Sequence, residues 1–316
     1  MEPLIFQKLK RERPSAKQQA FFLSTAKHTA YGGARGGGKS WAVRRKCIML
    51  GMRYDGLKIL LLRRTLPELR ENHILPMMEE LYGYADYHET QRAFLFPNGS
   101  RIKMGYCDAE SDVYQYQGQE YDVIAMEEAT HFTERQRMFL TTANRSTRAD
   151  FTPRMYYTAN PGGVGHGWFK RLFVDGMYRE GERAEDYAFI PANVYDNEVL
   201  MQKDPGYVKT LEALPEDRRR AYLYGDWDVF AGQYFPEFDR RLHVTEPFVV
   251  PKAWRRYVTL DYGLDMLAAY WIAVDLQGFA YVYRELYEKD LIISEAAERL
   301  LAMTGEEELC RNFGAA

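Results

Sequence analysis

The sequence predicts an α/β protein: a mainly parallel sheet with helices between its strands, followed by a smaller β-rich unit. Three observations carry this. Short apolar runs alternate with helix-like stretches from residue 15 to about 230. A glycine-rich loop, Gly33-Ala34-Arg35-Gly36-Gly37-Gly38-Lys39-Ser40, stands between one such run and a helix-like stretch. Near residue 231 the pattern changes to Gly- and Pro-punctuated sequence, then to closely spaced β-rich runs. The expected boundaries are 1–230 for the first domain, 231–250 for a connector and 251–316 for a second domain.

The elements follow in order. The segment up to Pro14 is basic and reads as an arm. Thr29-Ala30-Tyr31 is a short strand leading into the glycine loop, and residues 41–52 are a helix. Residues 57–62 are a short apolar run that includes Lys58, expected as a buried parallel strand. Thr65 and Glu68 have capping-box spacing and start a helix. Residues 93–96 and 101–104 flank Pro97-Asn98-Gly99, a hairpin turn. Residues 122–126 form another buried strand, and Thr133 with Gln136 repeats the capping-box spacing. Residues 155–158 make a third strand, closed by Asn160-Pro161-Gly162-Gly163. In the second unit, strands are expected over 256–261, 269–275 and 279–286, with a turn at Asp275-Leu276-Gln277-Gly278. A helix over 294–303 follows.

Composition narrows the function classes. Of 316 residues, 46% are hydrophobic and 28% charged, which is ample for a packed core and excludes general disorder. No apolar run approaches the roughly 20 residues of a membrane span. The amino-terminal MEPLIFQKLKRERP has no long apolar stretch of a secretory signal. Cys47, Cys107 and Cys310 are too dispersed for a disulfide framework or a metal-binding pair, which fits a reduced cytosolic compartment. The net charge of -3 gives no global attraction to nucleic acid. Local clusters, Arg44-Arg45-Lys46 and Arg218-Arg219-Arg220, are either phosphate contacts or solvated helix faces. The six histidines show no ligand spacing.

The glycine loop matches G-x-x-x-x-G-K-[ST], the phosphate-binding P-loop. Gly33, Ala34, Arg35, Gly36, Gly37 and Gly38 let backbone N–H groups turn around phosphate oxygens, with a helix amino terminus aimed at the same anion. Lys39 then pairs with the β- and γ-phosphates of a nucleotide such as ATP, and Ser40 ligates Mg²⁺. Such a loop needs acids opposite it. Tyr121-Asp122-Val123-Ile124-Ala125-Met126-Glu127-Glu128 supplies two at the end of an apolar strand, where parallel-sheet sites lie. Glu127 is expected to hold Mg²⁺ through water, and Glu128 to polarise the attacking water. The usual residue at the first position is Asp, so Glu127 is one methylene longer.

The ordered set of motifs resembles the large terminase subunit of tailed bacteriophages, the ATP-driven DNA-packaging motor, over nearly the whole chain. It comprises Tyr31-Gly32 with the P-loop, Leu61-Leu62-Arg63-Arg64-Thr65, Gly118-Gln119-Glu120-Tyr121-Asp122 running into Glu127-Glu128-Ala129, and Thr158-Ala159-Asn160-Pro161. Gly225-Asp226-Trp227 and Asp261-Tyr262-Gly263 belong to it as well. The resemblance implies a RecA/ASCE-like ATPase domain and then a partial RNase H-like nuclease domain. It implies that Gln18, with Gln19 as the alternative, reads adenine; a polar helix start is the other reading. It implies that Arg35 senses the γ-phosphate in cis, and that Thr158-Ala159-Asn160 couples phosphate loss to movement. Some relatives carry an Arg where this chain has Gln117, so a trans-acting Arg comes from elsewhere, with Arg145 and Arg148 as candidates, or is absent.

Asp261 resembles the first metal-binding aspartate of such nucleases, which use Mg²⁺ or Mn²⁺. The other ligands of that family lie further along than this chain extends, so loss of cleavage by truncation is expected. Asp265 and Asp275 are nearby acids that turn placement explains, and the run 306–308 adds three glutamates. The implied activity is ATP hydrolysis that drives double-stranded DNA into a procapsid. The implied partners are a portal protein, a small terminase subunit and further copies of the chain in a ring, in the cytoplasm of a bacterial host. The alternatives are another P-loop nucleic-acid translocase or helicase, or an inactive prophage remnant.

Overall fold

The computed structural model describes residues 3–229, 243–263, 266–289 and 291–310. The chain divides into two compact units, Met1–Tyr234 and Phe235–Ala316.

The first unit is an eight-stranded sheet. Its strands are β1 (His28–Gly33), β2 (Lys58–Arg63), β3 (Asp86–His88), β4 (Ala93–Leu95), β5 (Arg101–Tyr106), β6 (Val123–Met126), β7 (Arg154–Ala159) and β8 (Tyr187–Ala192). The spatial order is β3-β4-β5-β2-β6-β7-β1-β8. From β5 to β8 every pairing is parallel, and only β4, antiparallel to both β3 and β5, runs against the rest near one margin. The mainly parallel α/β architecture expected from the alternating runs is therefore present. β7 lies between β1 and β6, so the P-loop strand and the acidic strand are next-nearest neighbours.

Strand alternation sorts the core into two layers. Ile59 and Leu61 face one cluster, with Val123, Ala125 and Tyr156. Leu60 and Leu62 face the other, with Ile124, Met126 and Tyr157. The first layer is covered by α1 (Leu4–Arg11), α2 (Ala16–Leu23), α3 (Lys39–Arg53), α4 (Leu66–Leu69) and α5 (Leu75–Glu80). The second is covered by α6 (Glu134–Ala143) and α7 (His166–Phe169). A separate small core joins Val194 to α8 (Glu198–Lys203), α9 (Tyr207–Glu212) and α10 (Glu216–Tyr224) through Val208, Leu211 and Leu223.

Two readings of the sequence are corrected here. The basic amino-terminal segment is not an arm: α1 buries Ile5, and Phe6 packs edge-on against Tyr84 at 5.1 Å. Arg44-Arg45-Lys46 is neither a solvated face nor a DNA contact, because all three are buried. Arg44 binds Glu80 and the Asn72 carbonyl, Arg45 binds Glu12 at 2.6 Å, and Lys46 donates to the Phe22 carbonyl. The Asn72 carbonyl is available because Pro76, four residues on, has no N–H to return to it. β3 and β8 are additional to the strands expected.

The capping predictions meet two outcomes. Thr133 and Gln136 form a full reciprocal box. Thr65 caps α4 through the Glu68 N–H at 3.4 Å, but the Glu68 carboxylate turns away to Arg63 at 3.2 Å.

The second unit is an antiparallel sheet of β9 (Arg255–Tyr262), β10 (Leu267–Val274) and β11 (Ala280–Glu288), in the order β11-β10-β9, followed by α11 (Ile293–Thr304). Trp271 is buried and donates to Thr304 Oγ1 at 3.0 Å, which docks the helix on the sheet. Asp275 caps the β10–β11 turn by accepting from the Gln277 and Phe279 N–H groups at 2.9 Å. Most of the expected connector, and Asp265, lie outside the described residues.

Candidate active site

The site forms at the carboxyl ends of β1, β6 and β7. β1 ends at Gly33, and the loop reaches α3 at Lys39 through Gly38, whose φ of 72° is the left-handed conformation that glycine adopts without penalty. Gly36 has the same need, with φ 80°. The loop carbonyls are tied down: Gly36 O accepts from Asn197 Nδ2 at 2.7 Å and Gly37 O from the Tyr31 hydroxyl at 2.8 Å. Because a trans peptide sets N–H opposite C=O, the following N–H groups, of Gly37 and Gly38, point the other way. The loop borders a cavity of about 560 Å³, a size suited to a small-molecule ligand.

Lys39 is buried, with Nζ 2.6 Å from both the Ala34 carbonyl and Asn160 Oδ1. Burial lowers its pKa, helped by Arg35 and opposed by Glu128 and Glu127. Asn160 Nδ2 in turn donates to both Glu128 oxygens at 3.1 Å. Asn160 thus links the P-loop cation to the second acid of the β6 terminus. Glu128 has φ 53°, rare for a residue with a side chain, and its N–H donates to Thr158 Oγ1 at 3.1 Å. Thr158 and Asn160 come from the β7 end that the sequence singled out.

Glu127 is fully buried. Burial alone would raise its pKa, but His73, Arg63 and Ser40 outweigh that and hold it at about 2. His73 Nε2 lies 3.0 Å from Oε2, and Arg63 Nη1 pairs with the same oxygen. His73 sits in one turn of π-helix, Arg70–Ile74, between α4 and α5.

Two expected residues are placed differently from the rest. The guanidinium of Arg35 stacks 3.9 Å over the Tyr222 ring, and the backbone N–H of Arg35 donates to the Tyr222 carbonyl at 2.7 Å. Gln18 completes the Ser15 capping box through its carbonyl at 2.9 Å, while its amide nitrogen packs against Gly38. Gln19 is turned to the Pro14 carbonyl instead. Arg148 is engaged by Asp150 and the Asp55 carbonyl. Arg145 borders a different cavity at the amino ends of β1, β7 and β8. Asp261 is exposed on β9 of the second unit, and among the described residues no group of three His, Cys, Asp or Glu is placed to hold a metal. The sequence reading did not assign Arg63, His73, Asn197 or Tyr222. Arg63 stood within a quoted motif; the others carry no spacing signal.

A P-loop at the carboxyl edge of a parallel sheet, facing a paired-acid strand terminus, defines a P-loop nucleotide-binding domain. Residues 30–242 match the family model described as terminase large subunit, T4-like-virus type, N-terminal. The chain belongs to the terminase large-subunit family, and so is an ATPase of the viral DNA-packaging class. Solved structures share the fold. The large terminase of a thermophilic bacteriophage superposes with a TM-score of 0.59 at 19% identity, covering 94% of this chain and 75% of that one. The ATPase domain of the Thermus phage P74-26 large terminase gives 0.51 at 15% identity, covering 70% and 97%. The HK97 bacteriophage large terminase gives 0.51 at 12% identity, covering 90% and 67%. No curated protein matches the chain by sequence.

Proposed function

We propose that this chain hydrolyses ATP to move double-stranded viral DNA into a procapsid, as a subunit of a ring that meets a portal protein and a small terminase subunit in the bacterial cytoplasm. The observation that carries the chemistry is the Lys39–Asn160–Glu128 bridge. It joins the cation that binds phosphate to the carboxylate that activates water, so a nucleotide that draws Lys39 away also frees Glu128.

In this reading the Gly33–Gly38 loop and Lys39 bind the β- and γ-phosphates, and Gln18 meets the adenine through its amide. Arg35 leaves Tyr222 to disperse charge on the γ-phosphoryl oxygens. Glu128 orients water for in-line attack. Thr158 and Asn160, bonded to Glu128, register the loss of phosphate and pass it to β7. The residues fit a magnesium ion: the Ser40 hydroxyl lies beside Glu127, a buried carboxylate that its neighbours keep ionised. When bound, the ion neutralises charge on phosphate oxygens. For the second unit we propose a partial RNase H-like domain with Asp261 as one acidic ligand for Mg²⁺ or Mn²⁺. Among the described residues no group of three His, Cys, Asp or Glu forms around it, so no cleavage step is derived. Among the described residues no helix is long and apolar enough to cross a membrane.

The test is steady-state hydrolysis with and without duplex DNA, alongside nucleotide binding. Lys39→Ala should abolish tight ATP binding. Glu128→Gln should bind ATP and lose turnover by about two orders of magnitude or more. Wild-type turnover by Glu128→Gln contradicts the assignment of Glu128.

A further inference from the structure

Arg63 ends β2 and borders the same cavity as Lys39, Ser40 and Glu128. Its guanidinium is held from two sides. Nε donates to Glu68 at 3.2 Å, and Nη1 pairs with the buried Glu127. Nη2 has no protein partner among the described residues, although the side chain is only 13% exposed. A guanidinium carries five donors in a rigid fork, so a half-used fork in a sheltered cavity retains capacity for a further oxyanion.

The surroundings are organised around this placement. Glu68 gives up the return arm of its capping box to reach Arg63. His73 approaches the oxygen of Glu127 that Arg63 uses, from a π-helical turn, a distortion frequently found at functional sites. Glu127, with no exposed surface, cannot swing to follow the cavity's contents. Two carboxylates on two elements therefore fix one cation beside the P-loop.

We propose that Arg63 is a phosphate-reading residue acting in cis, distinct from Arg35: Glu68 and Glu127 clamp it so that Nη2 meets the terminal phosphate of a nucleoside triphosphate. This rests on the ATPase reading above. A diphosphate leaves Nη2 without its partner, so Arg63 distinguishes triphosphate from diphosphate. His73 is a positioning residue acting through Glu127.

Fluorescent ADP and ATPγS, each with Mg²⁺, are titrated into the full-length wild type and Arg63→Lys, with thermal unfolding as the fold control. Lysine keeps the charge but is a single ammonium that cannot hold Glu68, Glu127 and a phosphate together. The expected result is ADP affinity within about threefold of wild type and ATPγS affinity weakened roughly tenfold to a hundredfold, the range for a charge-assisted hydrogen bond. Equal loss for both nucleotides, or no loss, overturns the proposal. Wild type that binds neither nucleotide overturns it together with the ATPase reading.

A second measurement needs no variant. Wild type is labelled with phenylglyoxal and mapped by peptide mass spectrometry. ATPγS should protect Arg63 and ADP should not; equal protection by both overturns the assignment.

Discussion

At the scale of single residues, Asn160 has the heaviest duties for its size. One amide satisfies the Lys39 ammonium and both Glu128 oxygens. Asn160→Ala should cut turnover about a hundredfold, roughly 2.7 kcal/mol of barrier, with a much smaller effect on ADP binding, because Lys39 keeps its other partner. Steady-state rates and ADP titration check this. The motif containing Asn160 was legible in sequence; its bridge was not, since Lys39, Glu128 and Asn160 follow three different strands that only the sheet order brings together. The cysteines give a simpler check. Burial pushes the thiols of Cys47 and Cys107 up to about 12, and Cys310 is exposed. A disulfide reagent at pH 8 should titrate one thiol quickly and two more only on denaturation.

At the scale of elements, α3 shows why the basic cluster was misread. Successive helical residues point about 100° apart, so three adjacent cations cannot share a face. They reach three different partners, on α5, on the segment after α1 and on α2. Arg45→Ala leaves Glu80 and Glu12 short of a partner, and should cost about 3–5 kcal/mol in urea unfolding. Arg218→Ala, in the other cluster, should stay within about 0.5 kcal/mol.

β1 supplies a pH prediction. His28 is buried against Tyr187 with its ring bonded to the Tyr157 hydroxyl, and burial, with Arg137 and Lys27 nearby, lowers its pKa to about 3. The unfolded chain takes up that proton near pH 6.5, so between 6.5 and 3 it binds more protons than the fold. The stability contributed by neutral His28 is complete above pH 6.5 and falls on acidification by up to about 1.4 kcal/mol per pH unit. His28→Phe should flatten the urea midpoint between about pH 6 and 4. The strands absent from the sequence reading have plain reasons. β3 spans three residues, too few to show alternation, and β8 contains a proline, which argues against a strand anywhere but an edge.

At the scale of the whole molecule, the charge balance bears on DNA. With 42 basic and 45 acidic residues, and one of the two basic clusters sealed in the core, backbone contact must come from scattered surface cations. Binding to duplex DNA should be weak, indifferent to sequence, and linear in log affinity against log salt. Anisotropy titrations with a duplex and its scrambled counterpart at several salt concentrations test this; clear discrimination, or insensitivity to salt, contradicts it.

The margins of the large sheet have a consequence for assembly. One margin is β3, three residues long. The other is β8, where the Ala192 carbonyl accepts from the Ala34 N–H on the β1 side. Pro191, one residue back, therefore turns outward and offers no N–H to an incoming strand. Both borders disfavour lengthening by a strand borrowed from another molecule. In the ring proposed above, neighbours would then recognise this domain by side chains and shape. Contacts of that kind can be retuned one substitution at a time, leaving the ATP-binding framework intact while the machine adapts to a new capsid.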